Sequence, residues 1–202
     1  MHTKPDLRVS LKWMIARSGS VITDVMPPNR MRWTIANCDI LDRPADVLVL
    51  SGNPQLNLSG GAGGAFSQRY GREMQDCMHD YLKSTGKRFV DRGAVIQMPP
   101  CNSPYVAVLH AIGVDAFYDS DTDVVTQLIV KSLEMAANLS AKTVSLTAIA
   151  TGYGRMSMND FATAVMPTTS MTFNPIENVD ICVTKPDAAD LLSTLIPVAW
   201  VA

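Results

Sequence analysis

At 202 residues, 47% of them hydrophobic and 18% charged, the chain is long enough for one sizeable core and short for two domains. A net charge of −2 and an isoelectric point near 5.9 supply no broad basic field, which argues against general binding to the nucleic-acid backbone. The four cysteines Cys38, Cys77, Cys101 and Cys182 form no CxxC spacing, so no zinc knuckle or redox pair is written in the sequence and buried, reduced thiols are expected.

In the first thirty residues an apolar stretch at 11–16 mixes with Gly19, Pro27 and Pro28, a pattern of an N-terminal extension or extra strands. Lys4, Asp6 and Arg8 precede no uninterrupted apolar region, and no later run is long enough to span a membrane, so a cytoplasmic protein is expected. From residue 31 to 202 the chain reads as one domain. Strands are predicted over 31–36 and 47–50, a helix over 64–84 ended by Gly86, and strands over 93–97 and 105–111. The second of those strands is almost wholly apolar, as expected of a strand covered on both faces. A long helix follows over 123–138, with Asp121 or Thr122 as its N-cap. Then come a strand over 144–149, a short helix over 159–165 with Pro167 beyond it, a strand over 179–184 and a helix over 187–195. Strands alternating with helices indicate an α/β fold, a three-layer α/β/α sandwich around a mixed, mostly parallel sheet, whose ligands sit at the carboxyl ends of strands.

Two glycine-rich segments fall at such ends. Val47 to Leu50 runs through Ser51, Gly52 and Asn53 into Ser59, Gly60, Gly61, Ala62, Gly63 and Gly64, and a helix follows. Glycines let a backbone approach a ligand closely, and the first turn of a helix offers unpaired N–H groups at the positive end of a dipole, so this segment reads as a phosphate cradle. The strand over 144–149 runs likewise into Ala150, Thr151, Gly152, Tyr153 and Gly154. A phosphate loop of the NTPase type is excluded, because Ala65 and Phe66 stand where Lys and Ser or Thr are required. A dinucleotide fold of the hydride-transfer type fits poorly, because Phe66 occupies the place of its last glycine.

Four ordered segments resemble a macro domain, the ADP-ribose-binding module, over roughly residues 31–195. Asn37, Cys38, Asp39 and Ile40 are similar to the family's G-D-I element, with Cys38 in place of the glycine. Leu50 to Asn53, Leu56 and the glycine run are similar to N-A-A-N-x-x-L and its loop. Val108 to Gly113 looks like V-I-H-A-V-G, and Ala148 to Gly154 looks like A-I-S-T-G-x-x-G one residue short. The resemblance implies that Asp39 accepts from the adenine amino group, with the Ile40 backbone beside the ring. It implies further that Gly60, Gly61, Ala62, Gly63 and Gly64, with Ala150, Thr151, Gly152 and Gly154, cradle the diphosphate. Asn53 would bind the distal ribose, and Tyr153 would stack on its face. A carboxylate repels a diphosphate, which agrees with Asp39 at the amine-bearing end.

Two functions stay open at this point. One is a mono-ADP-ribosyl hydrolase with Asn53 and Tyr153 as its catalytic residues. Gly63 stands where the best-known hydrolytic branch has an aspartate, so turnover would follow the viral version of the loop, which uses the ribose asparagine and substrate-assisted water. Leu50 replaces the first asparagine of N-A-A-N, and an apolar side chain cannot orient water. The other is a non-catalytic module for ADP-ribose or a related NAD-derived nucleotide. No cofactor and no metal is implied, and the expected partner is ADP-ribose or an ADP-ribosylated protein or nucleotide. His110, in an apolar strand, reads as a satisfied core histidine. Cys77 and His79, two apart on a helix, point in different directions and make no metal site. Asp115, Asp119, Asp121 and Asp123 read as solvated loop and helix cap, the methionines as packing, and Lys185 and Asp187 as the border of an adenine pocket.

Overall fold

In a computed structural model of the protein, residues 31–197 and 199–201 are described, so the expectation for the first thirty residues lies outside the described residues. Two strands of the sheet are apolar on both faces. In β2 (Val47–Gly52), Val47 and Val49 enter one core while Leu48 and Leu50 enter another, and β4 (Ala107–Ile112) divides in the same way. Such strands need a helical layer on each side. With β1 (Arg32–Asn37), β3 (Val95–Met98), β5 (Thr143–Thr147), β6 (Asn178–Val183) and β7 (Ala199–Val201) they make a seven-stranded sheet of order β3-β4-β2-β5-β6-β1-β7. Among the described residues only β3, at one edge, runs antiparallel.

One face is covered by α1 (Gly61–Tyr70) and α2 (Glu73–Thr85), which insert Phe66, Met74, Met78 and Leu82. The other is covered by α3 (Thr122–Asn138), α4 (Met158–Val165) and α5 (Pro186–Leu195), which insert Leu128, Phe161 and Leu192 among others. The fold is therefore the expected α/β/α sandwich. Where one helix was expected over 64–84 there are two. Gly71 has φ 91°, a conformation that L side chains rarely adopt, and ends the first helix. The first helix also starts earlier, at Gly61, so most of the glycine run is its opening turn. The strand β7 was not anticipated. Among the described residues no helix is long and apolar enough to cross a membrane.

The amino ends of the strands are tied by polar contacts that leave the opposite ends open. Asp46 Oδ2 accepts from the N–H groups of Lys142 (2.7 Å) and Thr143 (2.9 Å), joining the start of β5 to that of β2. Burial pushes this carboxyl up, but those two N–H groups and the Thr143 side chain outweigh it and hold Asp46 below the usual carboxylate range. A depressed folded value means stability present above the unfolded value of about 3.9 and lost as the pH falls through the folded one. Asp46→Asn should accordingly cost about 1–2 kcal/mol at pH 7, a deficit that closes as the pH drops below about 4. Urea unfolding of both proteins at pH 7 and pH 3 checks it, and a deficit independent of pH would refute the carboxylate's role.

Candidate functional site

At the carboxyl ends of the strands a cleft opens in two lobes. The first, about 350 Å³, lies between Ser51 to Asn53, the segment 57–63, and the loop after β5, with Val114 and Tyr118 at its rim. The second, about 340 Å³, is bounded by Cys38, Asp39 and Ile40 and by the end of β6 with Thr184, Lys185 and Ala188. Gly61, Ala62, Thr147, Ala148 and Gly152 line both, so the lobes meet over the first turn of α1. The sheet register explains this convergence. β2 is flanked by β4 and β5 and its last residues feed the glycine segment, while β5 delivers the second loop directly opposite.

The junction is built to receive an anion without a charged side chain. Gly60 is the N-cap of α1, no side chain caps the helix, and no acidic residue stands in its first turn. Its leading N–H groups and dipole thus point into the place where the lobes join. The second loop closes over them by close approaches. A Cβ on Gly154 would strike the Ala150 carbonyl, and Ala150 itself has φ 65°. The Ala150 N–H donates to Ser51 Oγ at 3.1 Å, and the Ser51 N–H to Thr147 Oγ1 at 2.9 Å, which binds the two loops to one another. Tyr153, 74% exposed, lays its ring across Gly60, where any Cβ would collide with it.

In the second lobe, Asp39 caps a single 3-10 turn over Ile40–Asp42, its Oδ1 accepting from the Leu41 N–H at 2.9 Å. Among the described residues no donor is hydrogen-bonded to its second oxygen. Arg43, which ends that turn, donates to both oxygens of Asp180 on β6 (2.8 and 3.1 Å), pinning the turn to the sheet. Lys185 lines the same lobe at the N-cap of α5, whereas Asp187 is not among its lining residues. Cys182, beneath Cys38, has its thiol pushed up by burial and by its neighbour.

The residues singled out in the sequence for ligand contact line one lobe or the other, except Asp187 and Gly64, the N–H of the latter being taken by the Gly60 carbonyl at 3.0 Å. Asn53 lines the first lobe, and its side chain also closes the chain beneath it. Nδ2 donates to the Asn57 carbonyl (2.7 Å) and Oδ1 accepts from the Asn57 N–H (3.1 Å). Leu50 is buried in the core, so it contributes nothing polar. His110 is fully buried, but among the described residues neither ring nitrogen has a partner, and burial pulls it down to about 4, leaving a neutral imidazole under the first lobe. It is therefore a core histidine without the hydrogen bonds expected of one.

A brace from α2 was not visible in the sequence. Gln75 Oε1 accepts from the Leu58 N–H (2.7 Å) and its Nε2 donates to the Leu56 carbonyl (2.8 Å), while His79 Nε2 contacts both Gln75 and Asn57. The acidic cluster is structural. Asp121 caps α3, Asp115 accepts from the Phe117 and Asp119 N–H groups, and Arg92 and Arg155 pair with Asp121 and Asp119. Among the described residues no three His, Cys, Asp or Glu side chains gather to hold a metal ion.

A family model described as Macro domain matches residues 49–165, more than half of the chain. An uncharacterized protein of Saccharolobus solfataricus is 28% identical over 160 residues, covering 78% of this chain and 88% of its own. A macro domain-containing protein of Streptomyces nogalater is 27% identical over 147 residues, covering 72% and 81%. Among solved structures, a mutant Oceanobacillus iheyensis macrodomain with ADPR superposes with TM-score 0.70 at 17% identity, covering 80% of this chain and 89% of that one. The Trypanosoma brucei macrodomain in complex with ADP-ribose gives TM-score 0.67 at 13% identity, covering 81% and 68%.

Proposed function

The chain belongs to the macro domain family, and from that premise we propose that its two-lobed cleft binds ADP-ribose, free or attached to a larger molecule. The observation that carries the reading is the junction of the lobes over the uncapped first turn of α1, with neutral walls on the first lobe and Asp39 in the second. ADP-ribose has a matching order of chemistry. The adenine amine meets the Asp39 carboxylate with the Ile40 backbone beside the ring, the diphosphate lies on N–H groups of Gly61, Ala62 and Gly63 and of the loop 150–154, and the terminal ribose enters the lobe of Asn53 and Tyr153. Macrodomains of Oceanobacillus iheyensis and Trypanosoma brucei with ADPR or ADP-ribose share the fold.

Hydrolysis of an ADP-ribosyl bond is the second reading. It needs a water near the anomeric carbon and a group to take its proton. Among the described residues no carboxylate lines the first lobe, and His110 at its floor is fully buried. Any turnover therefore falls to water ordered by Asn53 and activated by the substrate's own phosphate. Binding is the reading favoured by this lining.

Titration calorimetry with ADP-ribose, AMP and NAD tests the proposal. Micromolar affinity, about −8 kcal/mol, is expected for ADP-ribose, with AMP and NAD weaker. Asp39→Asn keeps an oxygen for the Leu41 N–H and removes the anionic acceptor, so affinity should fall about 10- to 100-fold. No binding by the folded protein would overturn the reading. If modified protein is also cleaved, Asn53→Ala should lower turnover far more than affinity, and parallel losses would exclude a catalytic role.

A further inference from the structure

Two thiols that are far apart in the sequence meet in the fold. Cys77, partly exposed, sits in the middle of α2, and Cys101, 6% exposed, sits in the turn after β3. The Cys101 S–H donates toward Cys77 Sγ at a separation of 3.8 Å. Cys101 and Asn102 have φ of 44° and 55°, two successive left-handed residues with side chains, a costly backbone. That turn is fastened to the same helix, because Asn102 Nδ2 donates to Glu73 Oε2 at 2.8 Å. Strained backbone and polar tether together hold one sulfur against the other.

We propose that Cys77 and Cys101 are a peroxide-oxidisable pair whose disulfide staples α2 to the turn between β3 and β4. The Cys77 thiolate attacks one oxygen of hydrogen peroxide, the O–O bond breaks, and the departing hydroxide takes a proton and leaves as water. Cys77 is then a sulfenic acid. The Cys101 sulfur displaces its hydroxyl, an S–S bond forms, and a second water carries off the Cys101 proton. Two thiols and one peroxide become one disulfide and two waters. Burial and the neighbouring thiol push Cys101 up to about 12, so it stays protonated until the sulfenic acid forms beside it. The sulfurs need to approach by roughly 2 Å to reach bonding distance.

The staple bears on the cleft whatever the cleft binds. Gln75 and His79, the braces of the glycine-rich segment, flank Cys77 on α2. Fixing that helix should slow amide exchange at Leu58, whose N–H the Gln75 side chain accepts.

Each cysteine falls in its own tryptic peptide, Cys77 in 73–83 and Cys101 in 93–131, which makes the test direct. The full chain is treated with hydrogen peroxide, blocked with N-ethylmaleimide and digested without reductant. The expected result is a fall from four free thiols to two, a link between those two peptides, and slower Leu58 exchange. Four remaining thiols, a Cys38 to Cys182 link instead, or a Cys77 sulfinic acid in the wild type would each overturn the proposal. In Cys101→Ser, a dimedone adduct should accumulate on Cys77. Its absence from folded Cys101→Ser would also overturn it, and the wild-type peptide map decides the matter should that variant not fold.

Discussion

Gly154→Val should reduce ADP-ribose affinity by at least about 100-fold, or about 2.7 kcal/mol, the largest effect expected of any single change in the second loop. A Cβ at this position lands on the Ala150 carbonyl oxygen, 2.8 Å from the carbonyl carbon and 2.9 Å from Val114 Cγ1. Two of those contacts are with backbone, so no side-chain rotation relieves them. The loop has little room to give elsewhere. Ala150 is already left-handed, its N–H is held by Ser51 Oγ, and its Cβ packs over Gly113. Relief must come by swinging the loop outward, away from the first turn of α1, which takes half of the anion cradle with it. Gly152→Ala is the comparison for the fold, since its Cβ meets nothing within 4 Å and φ is not left-handed there. Thermal melting should show a lowered Tm for Gly154→Val and an unchanged one for Gly152→Ala. If Gly154→Val binds ADP-ribose within about threefold of wild type, the closed loop is not part of the binding site.

The sequence made the fold legible because strands such as β2 and β4 are buried on both faces and so read as short apolar runs between turn signals. β4 is the clearest case, with all six residues buried. The cleft was legible for a related reason. In a parallel sheet a glycine run after a strand has one place to go, the carboxyl edge, and both runs went there. What stayed hidden depended on partners distant in sequence. The clamp of Asn53 on Asn57 needs the chain to turn at Leu56, which has φ 55°. The Gln75 brace needs α2 to return under the loop it supports. That return is itself set by Gly71, which a helical pattern running from 64 to 84 passes over. The meeting of Cys77 with Cys101 depends on two left-handed residues that no spacing rule announces. His110 was correctly placed in the core, but the lack of partners for its ring is a property of the surrounding side chains, not of its own position.

Phe66→Ala should couple stability to binding in a way that an equally costly change on the other face does not. Phe66 is fully buried beneath α1, with its ring centroid 4.9 Å from that of Tyr70, and removing it should cost about 3–5 kcal/mol. Only Phe66 and Gly63 are buried in this helix, so Phe66 is the one large anchor holding the N-terminal cradle against the sheet. Leu133→Ala on α3 is the comparison. Leu133 is fully buried in the opposite core, near the end of a helix that runs back toward the amino ends of the strands, away from the cleft. Its loss should cost about 2–5 kcal/mol. Urea unfolding ranks the two variants, and calorimetry at a temperature where both are folded separates them. Phe66→Ala should weaken ADP-ribose binding by about tenfold or more, because the N–H groups of the first turn no longer stand fixed before the ligand arrives and must be ordered by it. Leu133→Ala should bind as the wild type does. Equal affinity in both variants would mean that the glycine-rich segment is held in place by the Gln75 brace and the Ser51 contact alone, and that the helix beneath it plays no part in ordering the cradle.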